Sequence, residues 1–176
     1  MASELRVDRI IPTSGVPTGG GGSIVQIVQG TKTDTSSVTG GTFADVGLSA
    51  TITPRSSSNK ILVLVQANIS SNSGYSMKAR LMRGSTPIHI GDAASNRPQA
   101  TAEFTGCYAA IADYNAVPLS MNFLDSPSST SSITYKVQYA VYTTFVVYIN
   151  RAGRDLDTSE YDARTSSSIT LMEVSA

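Results

Sequence analysis

The sequence predicts an all-β protein, an antiparallel two-sheet jelly-roll sandwich behind an extended N-terminal arm. Three observations carry this reading. Apolar residues recur with a period of two in several separate runs, turn-forming residues divide those runs at fairly even spacing, and four consecutive glycines set a short apolar stretch apart from everything after it. The expected division is an arm with a Gly-rich hinge over 1–23 and a jelly-roll body over 24–176.

In the arm, Leu5, Val7, Ile10 and Ile11 are apolar, and Pro12, Gly15 and Pro17 follow them. Glycine loses more freedom on ordering than any other residue and packs nothing, so Gly19, Gly20, Gly21 and Gly22 read as a hinge. Leu5 to Ile11 is too short to be stable alone, which makes it a candidate for binding another chain. A frayed terminus is the plainer alternative.

In the body, Val46, Leu48, Ala50 and Ile52 alternate with small or polar residues until Pro54. Leu119, Met121 and Phe123 do the same, and Ile133, Tyr135, Val137, Tyr139 and Val141 form the longest series. Such alternation marks a strand with one buried face. Lys60 to Ala67 and Phe145 to Ile149 are apolar without alternation, the pattern of strands covered on both sides, one by the core and the other by a further layer such as a neighbouring subunit. Ser168 to Val174 closes the series, with Ile169 and Leu171 pointing one way. Turn residues at 39–42, 54–59, 72–74, 83–87, 126–132 and 151–159 separate the runs. About eight to ten short strands result, a number that fits a two-sheet sandwich or jelly roll. Gly91 to Asn115 is the least patterned stretch and reads as long surface connections.

Composition narrows the function. Charged residues make up 15% of the 176, against roughly 25% in ordinary soluble domains. Thirteen basic residues balance thirteen acidic ones, so no net field draws the chain to nucleic acid or to an anionic membrane. Cys107 is the only cysteine, which excludes an intrachain disulfide and leaves packing or subunit association to supply stability. No apolar run approaches the ~20 residues that span a bilayer, and Glu4, Arg6, Asp8 and Arg9 stand where a signal peptide needs an apolar core. The expectation is a chain neither inserted in a membrane nor exported by a visible signal.

Candidate chemistry is sparse. His89, the one histidine, sits among apolar residues on what reads as a strand, with no surrounding catalytic motif. Cys107 reads equally well as a small buried hydrophobe. One cysteine and one histidine do not make a zinc site. Asp155, Asp157, Glu160 and Asp162 share one loop and raise the ideas of a hard cation or a glycosidase pair, but the glycine of a calcium loop is missing there, and Arg151, Arg154 and Arg164 balance the acids. Gly19 to Gly22 lacks a following Gly-Lys-Ser/Thr and leads into a strand rather than a helix, so it does not read as a phosphate loop. Asn68-Ile69-Ser70 matches a glycosylation sequon without a secretory context. Among eight tyrosines, Tyr135 and Tyr139 read as sheet packing, whereas Tyr108 and Tyr114 fall in the unpatterned stretch and are candidate ligand contacts, together with the polar loop Asp92 to Gln99. The expectation is a non-enzyme with no catalytic residue, no metal and no cofactor.

Two sets of residues carry a resemblance to a known family. Ser3-Glu4-Leu5-Arg6-Val7-Asp8-Arg9-Ile10, followed by Thr13-Ser14-Gly15 and the glycines, resembles the anchoring segment that opens many small fibre and knob proteins of tailed bacteriophages, especially those of marine and cyanobacterial hosts. Phe43 to Pro54, Ser58 to Val63, Phe123 to Pro127, Tyr135 to Gln138 and Ile169 to Val174 resemble their trimeric, tumour-necrosis-factor-like jelly roll. The resemblance implies a virion structural protein, a tail fibre or tail-attached appendage, that assembles as a homotrimer. The arm would dock on another virion protein of the tail or capsid. A separate reading, drawn from Tyr108, Tyr114 and the loop Asp92 to Gln99, is a binding module that recognises host-surface polysaccharide and so contributes to host attachment. A capsid decoration or head-fibre role is the alternative, favoured by the absence of a coiled-coil or β-helical shaft between arm and knob. A depolymerising module on the loop acids and a free-standing lectin are further readings.

Overall fold

The structure is a computed structural model and describes residues 23–72, 74–105 and 114–176. The arm positions Leu5, Val7, Ile10 and Ile11, the hinge Gly19, Gly20, Gly21 and Gly22, and Tyr108 with Cys107 lie outside the described residues. Within them the chain is all strand, turn and loop: β1 (Ile24–Lys32), β2 (Ser36–Thr39), β3 (Ala44–Ile52), β4 (Lys60–Ser71), β5 (Ser76–Arg83), β6 (Thr86–Ile88), β7 (Ala102–Thr105), β8 (Val117–Asp125), β9 (Ile133–Val141), β10 (Val146–Ile149) and β11 (Ser167–Val174).

These strands form two antiparallel sheets that face each other as a sandwich. In the first, β4 is central. One of its edges carries β8, from Ile61 opposite Asp125 to Ile69 opposite Val117. Its other edge carries β11 and then β10, with β1 beyond β11 and β2 beyond β10. In the second sheet the order is β3-β9-β5, and the far edge of β5 is shared by the short strands β6 and β7. Five pairs are nested along the chain: β1 with β11, β2 with β10, β3 with β9, β4 with β8 and β5 with β7.

Period-two patterning decides which residues meet between the sheets. From the first sheet come Ile61, Val63, Val65, Ala67 and Ile69 of β4 with Ile169 and Leu171 of β11, and from the second Val46, Leu48, Ala50, Ile52, Tyr135, Val137 and Tyr139; all are buried. β4 alternates despite its continuous apolar sequence, so Leu62 and Leu64 point away from the core and Leu64 stays 37% exposed. Among the described residues no further strand layer covers that face.

One glycine is fixed by a close approach. At the flank where β1 meets β3, a Cβ on Gly30 would fall far inside contact distance of the Ser49 carbonyl oxygen. A second, Gly47, lies in the bulge that interrupts the β3–β9 register, at φ +82.

Polar groups inside the sandwich act as ties between distant segments. Glu173 is fully buried; its Oε1 accepts from the Arg55 N–H at 2.7 Å and from Asn59 Nδ2 at 2.6 Å, and its Oε2 accepts from Gln26 Nε2 at 2.5 Å. The carboxylate thus clamps β1 and the β3–β4 turn onto β11. Burial raises its pKa, but the hydrogen bonds from Asn59, Gln26 and the Arg55 backbone outweigh burial and hold it below the usual value. Between the sheets, Asp125 accepts from Arg83 Nη1 at 3.0 Å on each oxygen and from the Tyr135 hydroxyl at 2.6 Å. Burial, reinforced by the Asp125 carboxylate, pushes the Tyr135 phenol far above its ordinary range.

Two local expectations differ from the structure. His89 follows β6 in a bend at φ 52 instead of continuing the strand, with its ring stacked on Phe123 at 4.7 Å. The unpatterned stretch 91–115 contains β7, whose four residues are too few to show a period.

Two measurements test these assignments. Gly30→Ala is expected to cost about 2 kcal/mol through overpacking, read as a fall of roughly 4–8 °C in the thermal midpoint; an unchanged midpoint contradicts the close approach. Because the Glu173 pKa is lowered on folding, its contribution is present above the unfolded value near 4.5 and is lost as the pH falls through the folded value. Unfolding free energy measured against pH is therefore expected to fall less steeply with acid below the unfolded value in Glu173→Gln than in the native chain.

A candidate binding cleft beside the β10–β11 loop

The segment 150–166 leaves the first sheet between β10 and β11 without regular secondary structure. Its entry is fixed by Asn150, fully buried at φ 61, a left-handed conformation that asparagine tolerates better than most residues. Asn150 Nδ2 donates to the Lys32 carbonyl at 2.8 Å and to the Asp34 carbonyl at 2.9 Å, and its Oδ1 accepts from Ser167 Oγ at 2.6 Å. One amide side chain therefore joins the β1–β2 turn to both ends of the loop. Next, Arg151 stacks on Tyr148 at 4.0 Å while Ser70 Oγ donates to its carbonyl.

Of the four loop acids, Asp155, Asp157 and Asp162 line one cleft with Arg164, while Glu160 lines a second with Asp162. Asp162 forms a bidentate pair with Arg154, through Nε at 2.9 Å and Nη2 at 3.1 Å, and also accepts from the Leu156 N–H at 3.0 Å. Asp155 is held by Arg164 and, at 3.3 Å, by Arg151. The hydrogen bond from Arg164 keeps the Asp155 carboxyl below its ordinary range, and that from Arg154 does the same for Asp162. Neither is the raised-pKa acid that glycoside hydrolysis needs. Among the described residues no group of three or more His, Cys, Asp or Glu stands where it could hold a metal ion.

The Arg154 guanidinium also lies over two tyrosine rings, Tyr114 at 4.1 Å and Tyr161 at 4.4 Å. Asp162 fixes the guanidinium, and the guanidinium in turn fixes the rings. Both remain open to solvent, Tyr114 at 46% and Tyr161 at 49% exposure. Between them opens a cleft of about 330 Å³, walled by Tyr114, Tyr161, Glu160, Asp162 and Thr165 with Ala152 among its lining residues. The Thr165 hydroxyl is buried and has no hydrogen-bond partner among the described residues.

Of the residues singled out from sequence, Tyr114 is in this cleft, and Tyr108 lies outside the described residues. The loop Asp92 to Gln99 belongs elsewhere: Arg80 Nε donates to the Gln99 carbonyl at 2.7 Å, tying it to β5 of the second sheet. Sequence reasoning passed over Arg154, Tyr161 and Thr165 as a unit with Tyr114. The one available signal was that arginines, acids and a tyrosine crowd a single loop. A second group of rings, Tyr75, Tyr142 and Phe145, clusters at the β4–β5 and β9–β10 turns with Tyr75 and Tyr142 centroids 5.0 Å apart. No protein-family model matches the chain, and no curated protein matches it.

Removing the guanidinium tests the positioning role. In Arg154→Ala, amide hydrogen exchange over 150–166 is expected to accelerate while β4 and β9 keep their protection. The same loosening is expected in the native chain on acidification, because the lowered carboxyls of Asp155 and Asp162 hold the loop above the ordinary carboxylate range and release it as the pH falls through their folded values.

Proposed function

We propose that this chain is a structural component of a phage virion, a tail fibre or tail-attached appendage that assembles as a homotrimer and is anchored through its N-terminal arm. The observation that carries the assembly part is the contrast between the two outer faces of the sandwich. On the second sheet the outward residues include Asp45, Lys78, Glu103 and Lys136, with Lys136 to Asp45 at 2.6 Å and Lys78 to Glu103 at 4.0 Å. That is the dress of a solvated antiparallel face.

The first sheet is different. Of the strand residues that point outward from it, only Lys60 at the rim is charged. Ile27, Met172, Leu62 and Leu124 stand directly opposite one another across β1, β11, β4 and β8, an apolar row four strands wide. Ile24, Leu64 and Val174 extend it, and Ile24 and Ile27 are 54% and 56% exposed. Beside the row lie Gln29, Gln66, Asn122 and Thr170, which can donate or accept across an interface without a charge to match. Depletion of charge around an apolar centre is the composition of an interface core. Its occupant in this reading is another copy of the chain, since the face carries a single charged strand residue, Lys60 at its rim, and a single cysteine leaves no disulfide to substitute for association.

We read the five nested strand pairs as a jelly roll, in which a long antiparallel ribbon is rolled from one sheet onto the other. This agrees with the body that the sequence resembles. The resemblance of the first residues supplies the virion and the anchoring arm, with other virion proteins of the tail or capsid as partners. The alternative of a capsid decoration or head fibre draws on the direct passage from hinge to β1 at Ile24, with no shaft between.

Two variants separate assembly from anchoring. Leu62→Lys with Ile27→Lys is expected to yield a folded monomer by sedimentation, whereas the native chain sediments as a trimer; a native chain that is monomeric at high concentration contradicts the reading. Deleting residues 1–23 is expected to leave the trimer intact and to abolish incorporation into particles, and normal incorporation counts against an anchoring arm.

A further inference from the structure

We infer that the cleft between Tyr114 and Tyr161 is a saccharide-binding site that takes an uncharged pyranose unit. The inference goes beyond the assembly role and does not require it, since every wall residue named belongs to one copy of the chain.

Size is the first argument. The cleft's volume of about 330 Å³ falls at the lower end of the roughly 300–1,000 Å³ of small-ligand sites, and Ala116, Ala152 and Ala163 keep its lining short. Ring chemistry is the second. A pyranose has an apolar face of C–H groups and a rim of hydroxyls, so it needs flat surface and hydrogen-bonding groups side by side, which is what an exposed tyrosine provides. The guanidinium of Arg154 already occupies the cation position over both rings, leaving their exposed surface to an uncharged guest.

Polar reach is the third argument. Glu160 lines the cleft, is exposed and forms no ion pair among the described residues, so its two oxygens are open to accept from neighbouring sugar hydroxyls. The same carboxylate, next to Asp162, repels an anionic guest. Finally, Thr165 contributes to this wall a buried hydroxyl with no partner among the described residues, and native structures leave few such groups unused. A small inward shift of the wall on binding would give it one. Preorganisation comes from the bidentate Arg154–Asp162 pair, which keeps the tyrosines in place before a ligand arrives.

The test uses the full-length chain and the methyl glycosides of glucose, galactose, mannose and N-acetylglucosamine, each titrated while saturation-transfer NMR and tyrosine fluorescence are recorded; no tryptophan is present to mask the tyrosines. Saturable binding of at least one glycoside is expected. Tyr161→Ala should weaken it roughly tenfold or more, Tyr161→Phe should preserve it, and Thr165→Val should weaken it while leaving the thermal midpoint unchanged. Four results overturn the inference: no glycoside binding, equal affinity in Tyr161→Ala and the native chain, full affinity in Thr165→Val, or a preference for methyl glucuronide or a lysine peptide over the uncharged sugars.

Discussion

Every β-sandwich has two outward faces, and each must meet either water or another protein. Side-chain alternation settles the matter strand by strand, because burying one set of residues commits the other set to the outside. In β4 the inward set is Ile61, Val63, Val65, Ala67 and Ile69, and the remaining apolar residues, Leu62 and Leu64, have nowhere to go but out. Their cross-strand neighbours Met172 and Leu124 share that fate. The apolar row, which no other described residue layer covers, is thus a consequence of the same register that builds the core, and it is the constraint from which the assembly reading follows.

Three polar hubs hold this register where hydrophobic packing alone would allow slippage. Glu173 clamps β1 to β11, Asp125 joins β8 to Arg83 and Tyr135 of the opposite sheet, and Asn150 ties the β1–β2 turn to the ends of the β10–β11 loop. Each hub is buried and well supplied with partners, the condition under which an internal polar group specifies one arrangement instead of weakening it. Arg154 extends the same logic outward. Its pair with Asp162 turns an irregular loop into a fixed support for two exposed rings.

The alternating runs were legible because burial on one face writes itself directly into sequence: β3, β9 and β11 follow from Val46 to Ile52, Ile133 to Val141 and Ile169 to Leu171. β6 and β7 were not, since three and four residues cannot display a period. The continuous apolar run of β4 announced that both faces want cover, and the described residues cover only one. Tyr114 stood out for its position, but Arg154 and Tyr161, which give it a setting, are some forty residues away in sequence. Only the path of the loop across the sheet brings them together, and that path depends on Asn150 and its contacts more than a hundred residues back.

Hydroxyl-radical footprinting of the native chain across a dilution series addresses the outer face most directly. If copies meet there, Met172 and Leu124 resist oxidation at high concentration and become reactive on dilution, while Tyr142, 53% exposed at the end of the sandwich, reacts throughout. Met172 and Leu124 as reactive as Tyr142 at every concentration would show that the face meets only water.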